Sequence, residues 1–280
     1  MQFDFMYGTA WKEEMTQPLV LEALNAGFRA VDTANQRKHY YEAAVGAALA
    51  EYFDSGNGTR DEIFVQTKYT FQAGQDSRLP YDPSAPIGEQ VTQSVSRSKE
   101  HLGLSVIDSL ILHGPTFRRG LHANDWAAWK SMEETVDRGD VIHLGVSNCD
   151  AEQLEELISE ATIKPRYVQN RCYTSLLWDA EVRSVCAQHG IVYQGFSLLT
   201  ANIPFLNHPV VTEIADAHQK WPAQIVFRYC LDIGILPITG TTDVLHMKGD
   251  LACSTFSLSK EHHEALNAVS EQFAGGLTQL

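Results

Sequence analysis

The chain has 280 residues, is 44% hydrophobic and carries a formal charge of −14. That length suits one large core, since an α/β barrel runs to about 250 residues as a unit, and so acidic a chain lacks the basic face that a nucleic-acid backbone demands. The first residues show no basic segment followed by an apolar one, and no run approaches the roughly 18 apolar residues of a membrane span, so the expectation is a cytoplasmic protein that handles small molecules, with no nucleic-acid or membrane partner.

Short apolar, β-branched runs alternate with longer amphipathic segments along the chain. The runs at 5–7, 28–31, 63–65, 106–112, 141–146, 167–169, 191–196 and 235–238 read as strands. Helical patterns lie between them at 18–26, 43–52, 87–102, 126–138, 151–161, 180–189 and 210–218. Strict alternation predicts a parallel sheet, and eight such units predict an α/β fold closed as a (β/α)8 barrel. No linker composition divides the chain, so 1–280 reads as one domain. The one long irregular stretch, 69–86, follows the third strand on the face where barrel loops build sites. It is expected to serve a pocket or a subunit contact.

The strands end on polar residues in a pattern. Asp32 closes the second run, Lys68 the third and His113 the fourth. Alone, each reads as a cap or a surface charge; in three successive strands of a barrel they share one mouth, where reactive groups sit. Later runs end in uncharged hydrogen-bonding residues: Ser147-Asn148, Gln169-Asn170, Ser197 after Phe196, and Gly240-Thr241-Thr242 after Thr239. Amides read a carboxamide in both directions, and Phe196 offers a face to a flat ring. The Gly240 segment opens a helix and so offers backbone N–H groups to a phosphate. Together these suit a nicotinamide dinucleotide lying across the barrel mouth.

The ordered set Tyr7-Gly-Thr-Ala-Trp11, Phe28-Arg-Ala-Val-Asp-Thr-Ala34, Lys38-His-Tyr-Tyr-Glu42, Val45-Gly46, Thr67-Lys68, Leu112-His-Gly-Pro115, Gly145-Val-Ser-Asn148, Val168-Gln-Asn170 and Pro237-Ile-Thr-Gly-Thr-Thr242 resembles the aldo-keto reductase superfamily. The resemblance covers about residues 5 to 265. It implies NADPH as cofactor, with NADH less favoured, and a small-molecule carbonyl, aldehyde or ketone, as substrate. It also implies a tetrad of Asp, Tyr, Lys and His, three of which fall on Asp32, Lys68 and His113. Where the tyrosine usually stands, five residues after the Asp, this chain has Arg37. The loop is longer here, Tyr40 and Tyr41 both compete, and relatives with a Lys-His-Tyr loop imply Tyr40. In these roles the tyrosine protonates the carbonyl oxygen, Lys68 lowers the phenol from its ordinary value near 10, Asp32 holds the ammonium and His113 orients the carbonyl.

The resemblance further implies Ser147, Asn148 and Gln169 as a carboxamide clamp and Phe196 as the stacking aromatic. Ser197, Leu199, Gly240, Thr241 and Thr242 are implied as phosphate contacts. His246 stands where an arginine commonly grips the 2′-phosphate, and Lys248 is the expected substitute. Set against that resemblance, the family's N-terminal hairpin is expected to be largely absent. Other readings find little support: there is no Gly-x-Gly-x-x-Gly, no phosphate-loop Gly-Lys-Ser/Thr and no His-Glu-x-x-His. The five cysteines contain no CxxC pair, so neither a disulfide framework nor a metal site is expected. Two alternatives stay open: reduction of a C=N or C=C bond with the same cofactor, and a nucleotide-binding regulatory or assembly subunit.

Overall fold

Eight parallel strands close in chain order into a barrel in the computed structural model, which describes residues 3–275. They are β1 (Met6–Gly8), β2 (Ala30–Asp32), β3 (Phe64–Tyr69), β4 (Ile107–Leu112), β5 (Val141–Ser147), β6 (Tyr167–Arg171), β7 (Val192–Phe196) and β8 (Ile235–Thr239). Each predicted run forms its strand. Most strands start one or two residues later than their runs, and at the carboxyl ends β3, β5 and β6 run past the apolar residues. The ladder carries the polar residues with it: Lys68 pairs with Ile111, and Ser147 with Gln169. Asp32, Lys68, Ser147, Gln169 and Asn170 therefore lie within the strands, while His113, Asn148, Ser197 and the Gly240 segment stand just past theirs.

Helices cover the outside: α1 (Thr16–Ala26), α2 (Glu42–Asp54), α3 (Ile87–Leu102), α4 (Ala123–Asp137), α5 (Ala151–Glu160) and α6 (Ala180–His189). Between β7 and β8 stand α7 (Ile203–Leu206), α8 (Pro209–His218) and α9 (Pro222–Asp232), and after β8 come α10 (Val244–Leu251) and α11 (Lys260–Gly275). Periodicity did not single out α9. Its buried residues run from Gln224 to Cys230, and Pro222 at its first turn is an ordinary start signal. At the α2–α3 contact Gly46 is a packing requirement, since a Cβ there would lie 2.0 Å from the His101 carbonyl oxygen.

Inside the barrel, Met6, Ala30, Phe64 and Tyr167, each the first residue of its strand, pack with Ile111 and Ile238. Phe3 lies on Phe64 with ring centroids 5.0 Å apart, and Phe64 meets Tyr167 at 5.5 Å. Apolar bulk thus fills the amino end of the barrel and leaves the carboxyl end to polar groups. Among the described residues, no helix is long and apolar enough to cross a membrane.

Candidate active site

The carboxyl ends of the strands open onto a cleft of about 920 Å³, near the upper end of the roughly 300–1,000 Å³ usual for small-molecule sites. Three of its wall residues, Trp11, Asn148 and Ser197, have positive φ (62°, 55° and 57°). Side chains other than Gly and Asn pay for that conformation, and such strain gathers at functional sites.

At the base of the cleft Lys68 and Asp32 form a buried ion pair. The Lys68 ammonium donates to Asp32 Oδ1 at 2.8 Å, to Asp32 Oδ2 at 2.7 Å and to the Thr33 carbonyl at 2.8 Å. Beneath the pair lies a layer of glutamines. Gln66 Nε2 and Gln169 Nε2 donate to Asp32 Oδ1 at 2.8 and 2.9 Å, and Gln66 and Gln194 exchange hydrogen bonds at 2.8 and 3.0 Å. Burial works to lower Lys68 from the ordinary lysine value, and Asp32 works against it.

Tyr40 stands over this pair: Lys68 Nζ is 5.0 Å from its ring centroid, and the ring meets His113 edge-on at 6.0 Å. Tyr40 lines the cleft. Tyr41 precedes α2, lies under the Arg37 guanidinium at 4.1 Å and is not part of the cleft wall. Burial first and the Asp32 charge second push the Tyr40 phenol well above 10. The net shift is thus upward, against the lowering expected from Lys68, whose ammonium donates to Asp32 and Thr33. His113 is driven down to about 3 by burial and by Lys68, so its imidazole is neutral. Its Nδ1 lies 2.6 Å from Thr70 Oγ1, leaving Nε2 for the cleft.

The irregular stretch after β3 supplies none of the cleft wall. It instead braces the loop carrying Tyr40: Gln75 Nε2 donates to the Asn35 carbonyl at 2.9 Å, Gln36 Nε2 to the Gly74 carbonyl at 2.7 Å, and Arg78 to the Arg37 carbonyl at 3.0 Å. On the other side the Trp11 backbone N–H donates to the His39 carbonyl at 2.7 Å, and the two rings lie 4.0 Å apart, tilted by 36°.

Ser147, Asn148, Gln169 and Phe196 line the cleft together. Asn148 Nδ2 donates to the His113 carbonyl at 2.8 Å and to Ser147 Oγ at 3.0 Å. With the Gln169 amide nitrogen held by Asp32, both amides turn their donors into the protein and keep oxygens as acceptors. Ser197, Leu199, Gly240, Thr241, Thr242 and His246 continue the wall. The expected helix amides are partly taken, since Asp243 caps α10 by accepting from Leu245 N at 2.7 Å and His246 N at 3.2 Å. Lys248 is exposed and lies outside the cleft. Residues two apart on a helix point about 200° apart, so Lys248 faces away when His246 faces in, while Asp250, four residues from His246, shares its side.

The sequence profile of the Aldo/keto reductase family matches residues 4–271. An aldo-keto reductase of Mycolicibacterium vanbaalenii is 33% identical over 253 residues, covering 90% of this chain and 82% of the relative. The chain belongs to the aldo/keto reductase family. An uncharacterised oxidoreductase of Saccharomyces cerevisiae is 29% identical, with 90% of this chain and 84% of that one covered. Among solved structures, an aldo-keto reductase from a deep-sea metagenome superposes with TM-score 0.82 at 23% identity over 96% of this chain and 92% of its own. A Bombyx mori aldo-keto reductase in complex with NADP gives TM-score 0.77 at 25% identity, covering 96% and 88%.

Several cleft residues of this aldo/keto reductase escaped the sequence reading. Lys12, just past β1, is buried in the wall and donates to the Gly240 carbonyl at 2.7 Å; burial lowers its ammonium to about 8. Arg171 ends β6, and Trp221 and Asp250 stand at the far end. Lys12 and Arg171 each follow a motif already noticed, and extending the strand-end pattern by one or two positions finds them. Gln66 and Gln194 interrupt apolar strands from within, a signal of an inward-facing polar layer. Trp221 has no comparable signal, because the fold alone brings the start of α9 beside α10.

Proposed function

We propose that this aldo/keto reductase reduces an aldehyde or ketone with NADPH, with Tyr40 as proton donor. The observation that carries the reading is the buried Lys68–Asp32 pair under the Tyr40 ring, in a cleft wall shared with His113. A buried ion pair stabilises a fold little or not at all, so its place under a phenol argues for chemistry over a purely binding role.

The cofactor fits what the wall offers. Lys12 supplies a buried cation beside Gly240 for a phosphate, and Thr241 and Thr242 add hydroxyls. The oxygens of Asn148 and Gln169 are left to accept from a carboxamide, and Phe196 presents a ring face in the same wall. When bound, the nicotinamide supplies a hydride. The neutral His113 imidazole, held at Nδ1 by the Thr70 hydroxyl, directs an Nε2–H to the carbonyl oxygen. The Tyr40 phenol, kept protonated by burial, gives its proton to that oxygen as charge develops there. The phenolate that results is offset by the fixed Lys68 ammonium, which lies 5.0 Å from the ring centroid, a preorganised charge in a low-dielectric site. The NADP-bound relative supports NADPH over NADH, with His246 and not Lys248 in the wall beside Thr242.

A panel of short and aromatic aldehydes and ketones, followed by loss of reduced-nicotinamide absorbance, tests the reading. Turnover of at least one carbonyl with NADPH is expected. Tight NADPH binding without oxidation by any carbonyl, imine or enone would return the chain to a binding role.

A further inference from the structure

Arg171 is the last residue of β6, and the proton and hydride transfers make no use of it. Gln169 and Arg171 are two apart in the strand, so their side chains leave the same face, and both line the cleft. Gln169 is buried and Arg171 exposed, which sets the arginine one pleat further out, about 7 Å along the strand. Across the sheet Arg171 pairs with Phe196. It therefore stands at the outer edge of the wall against which the nicotinamide is proposed to lie. Its charge is not matched by the protein. Among the described residues the Arg171 side chain makes no ion pair and no hydrogen bond, and its guanidinium carbon lies 5.7 Å from the centroid of the Tyr173 ring. Such an aromatic contact steadies a guanidinium and leaves its N–H groups free to donate.

The other charges of the cleft have their partners. Asp32 is matched by Lys68, Lys12 donates to the Gly240 carbonyl beside the proposed phosphate position, and Asp250 accepts from Thr239 Oγ1 at 2.8 Å. Gly240 follows β8, which is separated from β6 by β7. A phosphate held there thus lies two strand spacings from Arg171, about 10 Å at the sheet. His113 follows β4 and stands a similar distance away on the opposite side, with β5 between. A molecule whose carbonyl meets His113 and Tyr40 can therefore place a group several bonds removed against Arg171. With a formal charge of −14, the protein repels anions at long range, so an anionic substrate needs a local cation. Arginine stays charged at every working pH, and its fork matches the two oxygens of a carboxylate. We infer that Arg171 receives a carboxylate at the distal end of the substrate, so that this reductase favours oxo acids, carbonyl compounds with an acid group several bonds from the reacting carbon, over neutral carbonyls. This rests on the carbonyl-reduction reading above.

Matched pairs of substrates test this: 4-formylbenzoate and the ω-oxo acids of four to six carbons, each against its methyl ester, with NADPH oxidation giving kcat and KM. In the wild type the best acid exceeds its ester in kcat/KM by about ten- to a hundredfold, as expected for hydrogen bonds between charged groups. Arg171→Gln removes that ratio, chiefly by raising KM for the acid. Arg171→Lys keeps part of it, and Arg171→Glu takes it below one. NADPH affinity, titrated by calorimetry in the same variants, separates the two sources of an anion. Weaker NADPH binding in Arg171→Gln with an unchanged acid-to-ester ratio assigns the guanidinium to a cofactor phosphate and overturns the inference. A wild type that reduces the esters as well as every acid, or an acid preference that survives Arg171→Gln, also overturns it, while carbonyl reduction itself stands. A wild type that binds NADPH and reduces neither acids nor esters removes the carbonyl-reduction reading and the inference with it.

Discussion

Lys68 reaches Asp32 at 2.7 Å with its side chain fully buried and that of Asp32 only 5% exposed. Neither charge has water to fall back on, so each depends on the other and on the glutamines below. Removing one partner leaves the other charge buried and unpaired. Lys68→Met therefore costs about 3–5 kcal/mol of stability as well as carbonyl reduction. Asp32→Asn combined with Lys68→Met recovers much of the stability and none of the activity. Chemical denaturation and NADPH oxidation of the two variants check this; a stable single variant would mean that the pair is neutralised in the folded protein.

The same burial sets the alkaline side of the pH profile. Lys68 lies below the ordinary lysine value of 10.5, while the Tyr40 phenol lies well above 10. The phenol therefore holds its proton after the ammonium has lost its own. Activity that needs the ammonium is full below the depressed Lys68 value and falls as pH rises through it. The profile of kcat/KM is expected to drop with one proton at a pH under 10.5. A flat profile up to that pH would assign the limb to the phenol.

Lys12 gives a separate dependence, on binding. Its ammonium is held down to about 8, so it is charged below that pH and neutral above it. A phosphate beside it favours the charged form and raises its value in the complex. NADPH affinity is thus highest below about pH 8 and falls above it, with one proton taken up per cofactor between the free and bound values. Lys12→Met abolishes the slope and weakens binding by about tenfold or more, as expected for losing a hydrogen bond to a charged group. Lys248→Ala changes NADPH affinity by less than about twofold, because that side chain lies outside the cleft. Calorimetric titrations in buffers of differing ionisation enthalpy read both the affinity and the proton.

The barrel and its mouth were legible because both rest on local rules. Alternation marks strands and helices, and polar residues closing apolar runs must share the carboxyl face once the strands are parallel. Asp32, Lys68 and His113 were found this way. Less legible were contacts set by packing between distant elements. Lys248 looked suitable by position along the chain, but helix geometry turns it away from the side that His246 and Asp250 share. The 69–86 stretch, expected at a pocket or subunit contact, lines none of this cleft and braces the Tyr40 loop from behind, with Thr70 set against His113. Helix α9 was passed over although Pro222 marks its start. In the segment after β7, Thr200 reaches the wall.

The choice between adjacent phenols tests the account most directly. Tyr40 shares the cleft wall with His113 and lies over Lys68, while Tyr41 packs under Arg37 outside that wall. Phenylalanine keeps each ring and removes only the proton. Steady-state reduction of one good aldehyde by NADPH, with cofactor affinity measured in parallel, is expected to show kcat lower by at least about a hundredfold in Tyr40→Phe. Tyr41→Phe stays within about tenfold, and NADPH binding survives in both. A Tyr40→Phe enzyme that turns over like the wild type, or a loss confined to Tyr41→Phe, would contradict the assignment of Tyr40 as proton donor.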